Sequence, residues 1–326
     1  MVPKQAITIS LRTLCQSLWL VCLCALVIPA YAQVIITPKA LLNNFLHSDQ
    51  RASYSASFVF IRPSGMQSAD EFVDIRPDGV YRRTQFFQKG DIEMIKSPTG
   101  VSYYHQMGTE RLDYGRHAVP SELSLLFSNL DEVSQYYSIQ AVESTEYIAE
   151  RETYRLSVMA KLPGRYSKIF WIDKKNLIIL RVDVLDEDGQ LIERMRCTSL
   201  VVKSPELTNL QVSKDKEGYR HLKLSASSAQ SVVKFGWLPE RYKLIARLGI
   251  DDKGSFEKQF IMSDGFSTFN VIVNPHTKQR GKVDANHQRD AQQQHVVNGV
   301  SEQVLVIGDV PFHVVKKVAA SVRVSK

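Results

Sequence analysis

The chain has 326 residues, with 41 Lys and Arg against 34 Asp and Glu, a formal net charge of +7, 44% hydrophobic residues and four cysteines. That length and apolar content leave room for two domains with real cores and exclude a low-complexity protein, apart from a polar stretch at 292–294. Cys15, Cys22 and Cys24 all fall in the first segment, so a mature chain that has lost it keeps only Cys197 and cannot form an internal disulfide.

That first segment carries Lys4 and Arg12, no acidic residue, an apolar run at 18–28, then Pro29 and Ala30-Tyr31-Ala32. The order is that of a secretory signal peptide cleaved after Ala32, with an uncleaved anchor as the alternative. The apolar run falls short of the roughly 20 residues that cross a bilayer. Cys22 and Cys24 follow the bulky Val21 and Leu23, where a lipidation site wants a small residue.

Thr37-Pro38 caps a short amphipathic helix with Leu41, Leu42, Phe45 and Leu46 at helical spacing. The period then switches to two: at 53–61, Tyr54, Ala56, Phe58 and Phe60 alternate with serines, which predicts a half-buried strand. Further strands are predicted near 71–75, 80–88, 92–97, 101–106 and 110–114, separated by Pro77-Asp78-Gly79, Lys89-Gly90 and Pro98-Thr99-Gly100. Such turns make neighbouring strands antiparallel. A second helix, from Pro120-Ser121-Glu122 to Tyr136, places Leu123, Leu126, Phe127 and Leu130 on one stripe that must cover a sheet or a partner. Strands resume at 137–142, 152–159, 166–172, 177–185 and 191–202.

The apolar pattern thins between 203 and 230, which reads as a linker between a domain at 33–202 and a smaller one at 231–326. The smaller domain shows strands near 256–262, 266–273, 294–300 and 303–307. It closes with Asp309-Val310-Pro311 capping a helix that carries Val314, Val315, Val318 and Ala319. The fold class is therefore α+β: a helix-covered antiparallel sheet followed by a small antiparallel sheet with a terminal helix.

The basic excess belongs to the C-terminal third, where residues 221–326 carry 15 Lys and Arg against 9 Asp and Glu. On an exported protein such a surface favours anionic lipid, lipopolysaccharide or an acidic polypeptide rather than DNA, or serves only solubility. Asp183, Asp186, Glu187, Asp188 and Gly189 fail the calcium-loop spacing, since Val184 would take the first ligand position and Met195 the last. A hairpin turn accounts for them better. The eight histidines never converge at metal-ligand spacing, and no nucleophile elbow or phosphate-cradling glycine loop occurs, so neither a metal or other cofactor nor an enzyme has support. Cys197 lies in a strand-like run and is expected to be buried. Phe58, Phe60, Tyr81, Phe86, Phe87, Tyr103, Tyr104, Phe170 and Trp171 are ordinary core by base rate, or else line an apolar groove for acyl chains or a peptide.

Several stretches, taken together, resemble the MucB/RseB family. They are Val101-Ser102-Tyr103-Tyr104; Ile169-Phe170-Trp171-Ile172-Asp173 with 180–186 and Asp188-Gly189; and Phe235-Gly236-Trp237-Leu238-Pro239. The last domain adds Ser263-Asp264-Gly265-Phe266-Ser267, Val271-Ile272-Val273-Asn274 and Ile307-Gly308-Asp309-Val310-Pro311. The resemblance implies a large N-terminal domain similar to the Lol lipoprotein carriers, an incomplete, strongly curved barrel with helices across its opening, joined to a small C-terminal domain. It further implies a periplasmic, non-catalytic regulator that binds the periplasmic region of a membrane anti-sigma factor and shields it from the site-one protease. Lipopolysaccharide or lipid then releases it, freeing an envelope-stress sigma factor.

Chemistry and position choose Trp237, Arg241, Lys243 and Arg247 as partner contacts, and Tyr103, Leu126, Phe127 and Trp171 as groove residues. The polar segment 277–294 departs from the family pattern and reads as a loop particular to this chain. The competing readings are a lipid or lipoprotein carrier or sensor without an anti-sigma partner, and an exported hydrolase whose site would need convergent titratable groups.

Overall fold

Alternation of apolar and polar residues dominates the chain beyond the first helix, and wherever it does the backbone is extended and paired. The structure is a computed structural model that describes residues 36–48, 52–63, 65–87, 92–106, 122–211, 219–226, 232–252, 255–273, 290–297 and 300–325. The expected signal peptide, the strand expected at 110–114 and most of the polar segment 277–294 lie outside the described residues.

The first strands are β1 (Tyr54–Arg62), β2 (Gly65–Arg76), β3 (Gly79–Phe87), β4 (Ile92–Ser97) and β5 (Gly100–Gln106). A second meander holds β6 (Tyr137–Ile148), β7 (Arg151–Ala160), β8 (Ser167–Asp173), β9 (Ile179–Leu185) and β10 (Leu191–Val201). The C-terminal part has β11 (Tyr219–Ala226), β12 (Val232–Phe235), β13 (Lys243–Asp252), β14 (Ser255–Ser263), β15 (Thr268–Val273), β16 (Asp290–Val297), β17 (Val300–Gly308) and β18 (Val322–Ser325). The α-helices are α1 (Pro38–Ser48), α2 (Glu122–Ser128), α3 (Leu130–Val133) and α4 (Phe312–Ser321).

Sixteen strands form one antiparallel sheet in the order β16-β17-β15-β14-β13-β11-β5-β4-β3-β2-β1-β10-β9-β8-β7-β6, while β12 and β18 pair separately. The sheet is open, with β6 and β16 as its outer strands. Bulges between Ser57 and Phe58, Glu143 and Tyr147, and Trp171 and Ile172 add twist to the large N-terminal part, as an incomplete barrel requires. The α+β class and the open curved sheet with a terminal helix agree with the expectation. Ile35–Lys326 forms one compact unit.

Three local readings change. The expected linker at 203–230 contains β11, which pairs with β5 on one edge and β13 on the other, so the C-terminal strands continue the large sheet. A strand bonded on both edges is set by its backbone partners more than by its own pattern. The expected second helix breaks at Asn129, whose side-chain amide donates to the Leu125 carbonyl at 2.8 Å, into α2 and α3. The last residues of the polar segment 277–294 belong to β16.

Alternation along the meander sorts side chains into separate cores. One, under the helices, joins Leu41, Leu42, Leu123 and Leu126 to Leu156, Val158, Phe170 and Ile172. Another gathers Tyr54, Phe58, Val73, Trp171, Leu180 and Cys197. Cys197 is buried as expected, its thiol donating to the Ser199 carbonyl at 3.1 Å. The acidic run at 183–189 is a hairpin turn: Asp186 accepts the backbone N–H of Asp188 and of Gln190, and Gly189 adopts a φ of 79°.

Candidate functional site

The tip of the β14–β15 hairpin, Asp264 to Ser267, is built from its own side chains. Asp264 Oδ1 accepts the backbone N–H of Phe266 at 3.0 Å and of Ser267 at 2.9 Å, and Ser263 Oγ donates to the Ser267 carbonyl at 3.0 Å. Gly265 has a φ of +94°, and a Cβ there would meet Val133 at 3.0 Å and Asn129 at 3.1 Å. Only glycine combines that backbone with that closeness to α3.

So shaped, the tip enters the N-terminal part. Phe266 is fully buried in the core under the helices, edge-on to Tyr137 at 5.2 Å and to Phe170 at 6.1 Å between centroids. Asp264 Oδ2 accepts from Arg165 Nε at 2.9 Å and from the Tyr137 hydroxyl at 3.0 Å. Tyr136 donates to the Asp264 carbonyl, and Arg165 Nη2 donates to the Glu240 carbonyl. Beside them Lys168 Nζ meets Asp309 Oδ2 at 2.8 Å and lies 5.5 Å from the Phe266 ring centre. All four charged side chains are at most 2% exposed.

The sequence pattern predicts that Asp309 caps α4. Its carboxylate turns instead to β8, and the α4 N-cap, Pro311, has no side-chain capping bond. A buried cation without a counter-charge costs more than an unfilled cap, so the ion pair takes the carboxylate.

The seam's electrostatics follow from burial. Burial presses the Arg165 guanidinium downward, but Asp264 and the neighbouring phenols outweigh it and hold it more firmly charged. Burial, then the Asp264 carboxylate, pushes Tyr136 up to about 12 and Tyr137 well above its ordinary range, so both stay protonated donors. A smaller apolar contact completes the seam, with Met94, Val101 and Tyr103 packed on Leu248 and Ile261.

The four groove residues do not converge. Leu126 lies in the core that Phe266 enters. Phe127, half-buried beside it, borders an open depression of 430 Å³ together with Lys39, Leu130 and Glu132. Tyr103 belongs to the seam contact, and Trp171 to the separate cluster with Phe58 and Cys197, under the Arg181 guanidinium at 3.9 Å. Phe170 and Ile172 reach the helix-covered core while Trp171, between them, does not.

Of the partner-contact residues, Trp237 packs against the C-terminal core with Lys317 Nζ 4.1 Å over its ring. Arg241, Lys243 and Arg247 are exposed, and Lys243 reaches Glu132 of α3 at 3.3 Å. Leu244 and Ile245, 36% and 40% exposed, stand among them. Sequence reading missed Arg165, Lys168 and the roles of Asp264, Phe266 and Asp309. Their pairs span 99 and 141 residues, and the only visible signal was that the Ser-Asp-Gly and Gly-Asp-Val-Pro stretches stood out without an assigned role.

An open, helix-covered sheet whose C-terminal continuation is latched into it by a buried hairpin tip defines a two-part sheet protein. The chain belongs to the MucB/RseB family: the MucB/RseB N-terminal domain model matches residues 37–218 and the C-terminal domain model residues 227–323. It is 26% identical over 318 residues to the sigma-E factor regulatory protein RseB of Escherichia coli K12, covering 92% of this chain and 94% of that one. A crystal structure of MucB shares the fold with a TM-score of 0.67 at 19% identity, over 88% of this chain and 97% of that one. MucB in complex with MucA(peri) gives 0.61 at 20% identity, over 89% and 100%.

Proposed function

We propose that this protein is a non-catalytic periplasmic regulator, exported with cleavage after Ala32, that binds the periplasmic region of a membrane anti-sigma factor. By covering that region it protects the anti-sigma factor from site-one proteolysis and so restrains the envelope-stress sigma factor. Lipopolysaccharide or lipid weakens the grip. The observation that carries this reading is that both family domains match in order across the described chain, together with the fold it shares with MucB, which is known in complex with MucA(peri).

The domain division is taken as 33–202 and 231–326, with β11 bridging them. The exposed basic stretch of Arg241, Lys243 and Arg247, with Leu244 and Ile245 between, is the proposed docking face, since alternating cations and apolar side chains suit an acidic peptide with apolar anchors. The test is binding of purified residues 33–326 to the periplasmic fragment of a MucA-like anti-sigma factor from the same organism, with and without lipopolysaccharide. Binding that lipopolysaccharide weakens is expected. Absence of binding in both conditions would move the function to a lipid or lipoprotein carrier without an anti-sigma partner.

A further inference from the structure

Helix α4 and the ribbon that follows it carry positive charge that no carboxylate answers. The buried stripe of α4 is Val314, Val315, Val318 and Ala319, which leaves Phe312, His313, Lys316, Lys317 and Ala320 exposed on its outer face. In the β12–β18 ribbon, Val233, Phe235 and Val322 turn to the same core, so the alternating Lys234 and Arg323 turn away from it. These two cations are direct cross-strand partners, and like charges directly opposite destabilise a pair of strands. Arg323 has a local use, since its Nη1 donates to the Ala320 and Val322 carbonyls at 3.1 and 3.0 Å where α4 ends. Lys317 Nζ rests 4.1 Å from the Trp237 ring centre. Among the described residues, however, none of Lys234, Lys316 and Lys317 forms an ion pair, and 232–239 and 310–326 contain no Asp or Glu. Phe312, 37% exposed, and the half-buried Trp237 stand among these cations. Long basic stems beside aromatic rings suit the boundary between lipid headgroups and acyl chains, and a face without carboxylates meets no repulsion from an anionic surface.

We propose that the outer face of α4, together with Lys234 and Arg323, is a docking surface for an anionic phospholipid bilayer. Headgroup phosphates supply the counter-charge that Lys234, Lys316 and Lys317 lack, while the rings of Phe312 and Trp237 sit at headgroup level. No acyl chain enters the protein, and neither an anti-sigma factor nor lipid-triggered release is required. The contact goes beyond the proposed regulation: it confines the protein to the membrane surface, where a membrane-embedded partner is met by search in two dimensions.

Binding is measured by vesicle co-sedimentation of purified residues 33–326, with no anti-sigma fragment and no lipopolysaccharide, so the outcome is independent of the proposed regulation. Wild type should bind phosphatidylglycerol vesicles at low salt, release them at high salt and ignore phosphatidylcholine vesicles. Lys316→Gln/Lys317→Gln should weaken binding about 25-fold and Lys234→Gln about fivefold, since each cation near an anionic surface contributes roughly a factor of five. Lys175→Gln/Lys203→Gln, which neutralises two exposed lysines elsewhere, should leave binding within about twofold. Circular dichroism confirms that the variants fold, and Lys234→Gln stands in should the helix variant fail. Brominated phosphatidylglycerol should quench tryptophan emission that Trp237→Phe removes. Equal binding to phosphatidylcholine, or an equal loss in the Lys175→Gln/Lys203→Gln control, would overturn the proposal. Binding to polyglutamate but not to vesicles would assign the face to an acidic peptide instead. Self-association that Lys316→Gln/Lys317→Gln abolishes, with no vesicle binding in wild type, would assign it to a second copy of the chain.

Discussion

Phe266 and Phe269 stand on one hairpin and are both buried, yet they belong to different cores. Phe269 packs with Tyr242, Val271, Val306, Val315 and Val318, all from the chain that surrounds it. Phe266 packs with Leu41, Leu126, Tyr137 and Phe170, from the other end of the sequence. The first core makes the C-terminal part cohere, and the second makes it dock. Stability and coupling thus rest on side chains of the same type, distinguished only by which way the chain turns at Asp264-Gly265.

The comparison can be broken at its two rings. Phe266→Ala and Phe269→Ala should each cost about 3–5 kcal/mol, the range for truncating a buried Phe. Calorimetry should nonetheless tell them apart: Phe269→Ala lowers the melt as a whole, whereas Phe266→Ala splits one melt into two. A single shared transition in both variants would mean that the tip does not couple the parts.

Next in size is the seam's ion pair. Arg165→Met strands a buried carboxylate and should cost about 3–5 kcal/mol, while the double variant Arg165→Met/Asp264→Asn should recover part of it, since the amide keeps the Oδ1 acceptor that shapes the tip and leaves no buried charge. Denaturant melts of both single variants and the double variant give the coupling; simple additivity would argue against a direct pair.

A smaller effect should appear with pH. Tyr136 and Tyr137 have raised values in the folded protein, so the stability they contribute is complete below the ordinary phenol range and is lost as pH rises through it toward 12. Ultraviolet titration should show their ionisation delayed until the seam opens. Burial likewise pushes the Cys197 thiol up to about 11. Alkylation of folded protein at pH 8 should be slow and should quicken about tenfold per pH unit, because only the thiolate reacts. Rapid labelling at neutral pH would place that thiol at the surface.

The smallest stability effect belongs to the exposed pair. Lys243→Ala removes a contact with Glu132 worth at most about 1 kcal/mol. Its melting point should barely move, while binding of an acidic partner should weaken and lose part of its salt dependence. That separates the docking face from the latch.

Much of the architecture was legible along the chain. The strands expected at 166–172 and 191–202 fold as β8 and β10, and Val314, Val315, Val318 and Ala319 form the buried stripe of α4. Both follow from local periodicity, which needs no partner to be read. β11 and β13 escaped notice because charged residues and, in β11, His interrupt their alternation, and because the bonding neighbour β5 of β11 lies far away in sequence. The sequence groups Trp171 with Leu126 because both are large and apolar, but only the paired sheet decides that Trp171 joins a different core from the one Leu126 of α2 covers.

By itself the sequence determined most strands of the two meanders, the terminal helix and the buried thiol, since each depends on patterns a few residues long. Tertiary structure alone decided that Asp309 serves Lys168 rather than a helix end, and that Phe266 completes a core begun some 225 residues earlier at Leu41. Ion pairs and apolar contacts act over a few ångströms of space whatever the separation in chain, so their partners exist only once the sheet has brought the two parts together.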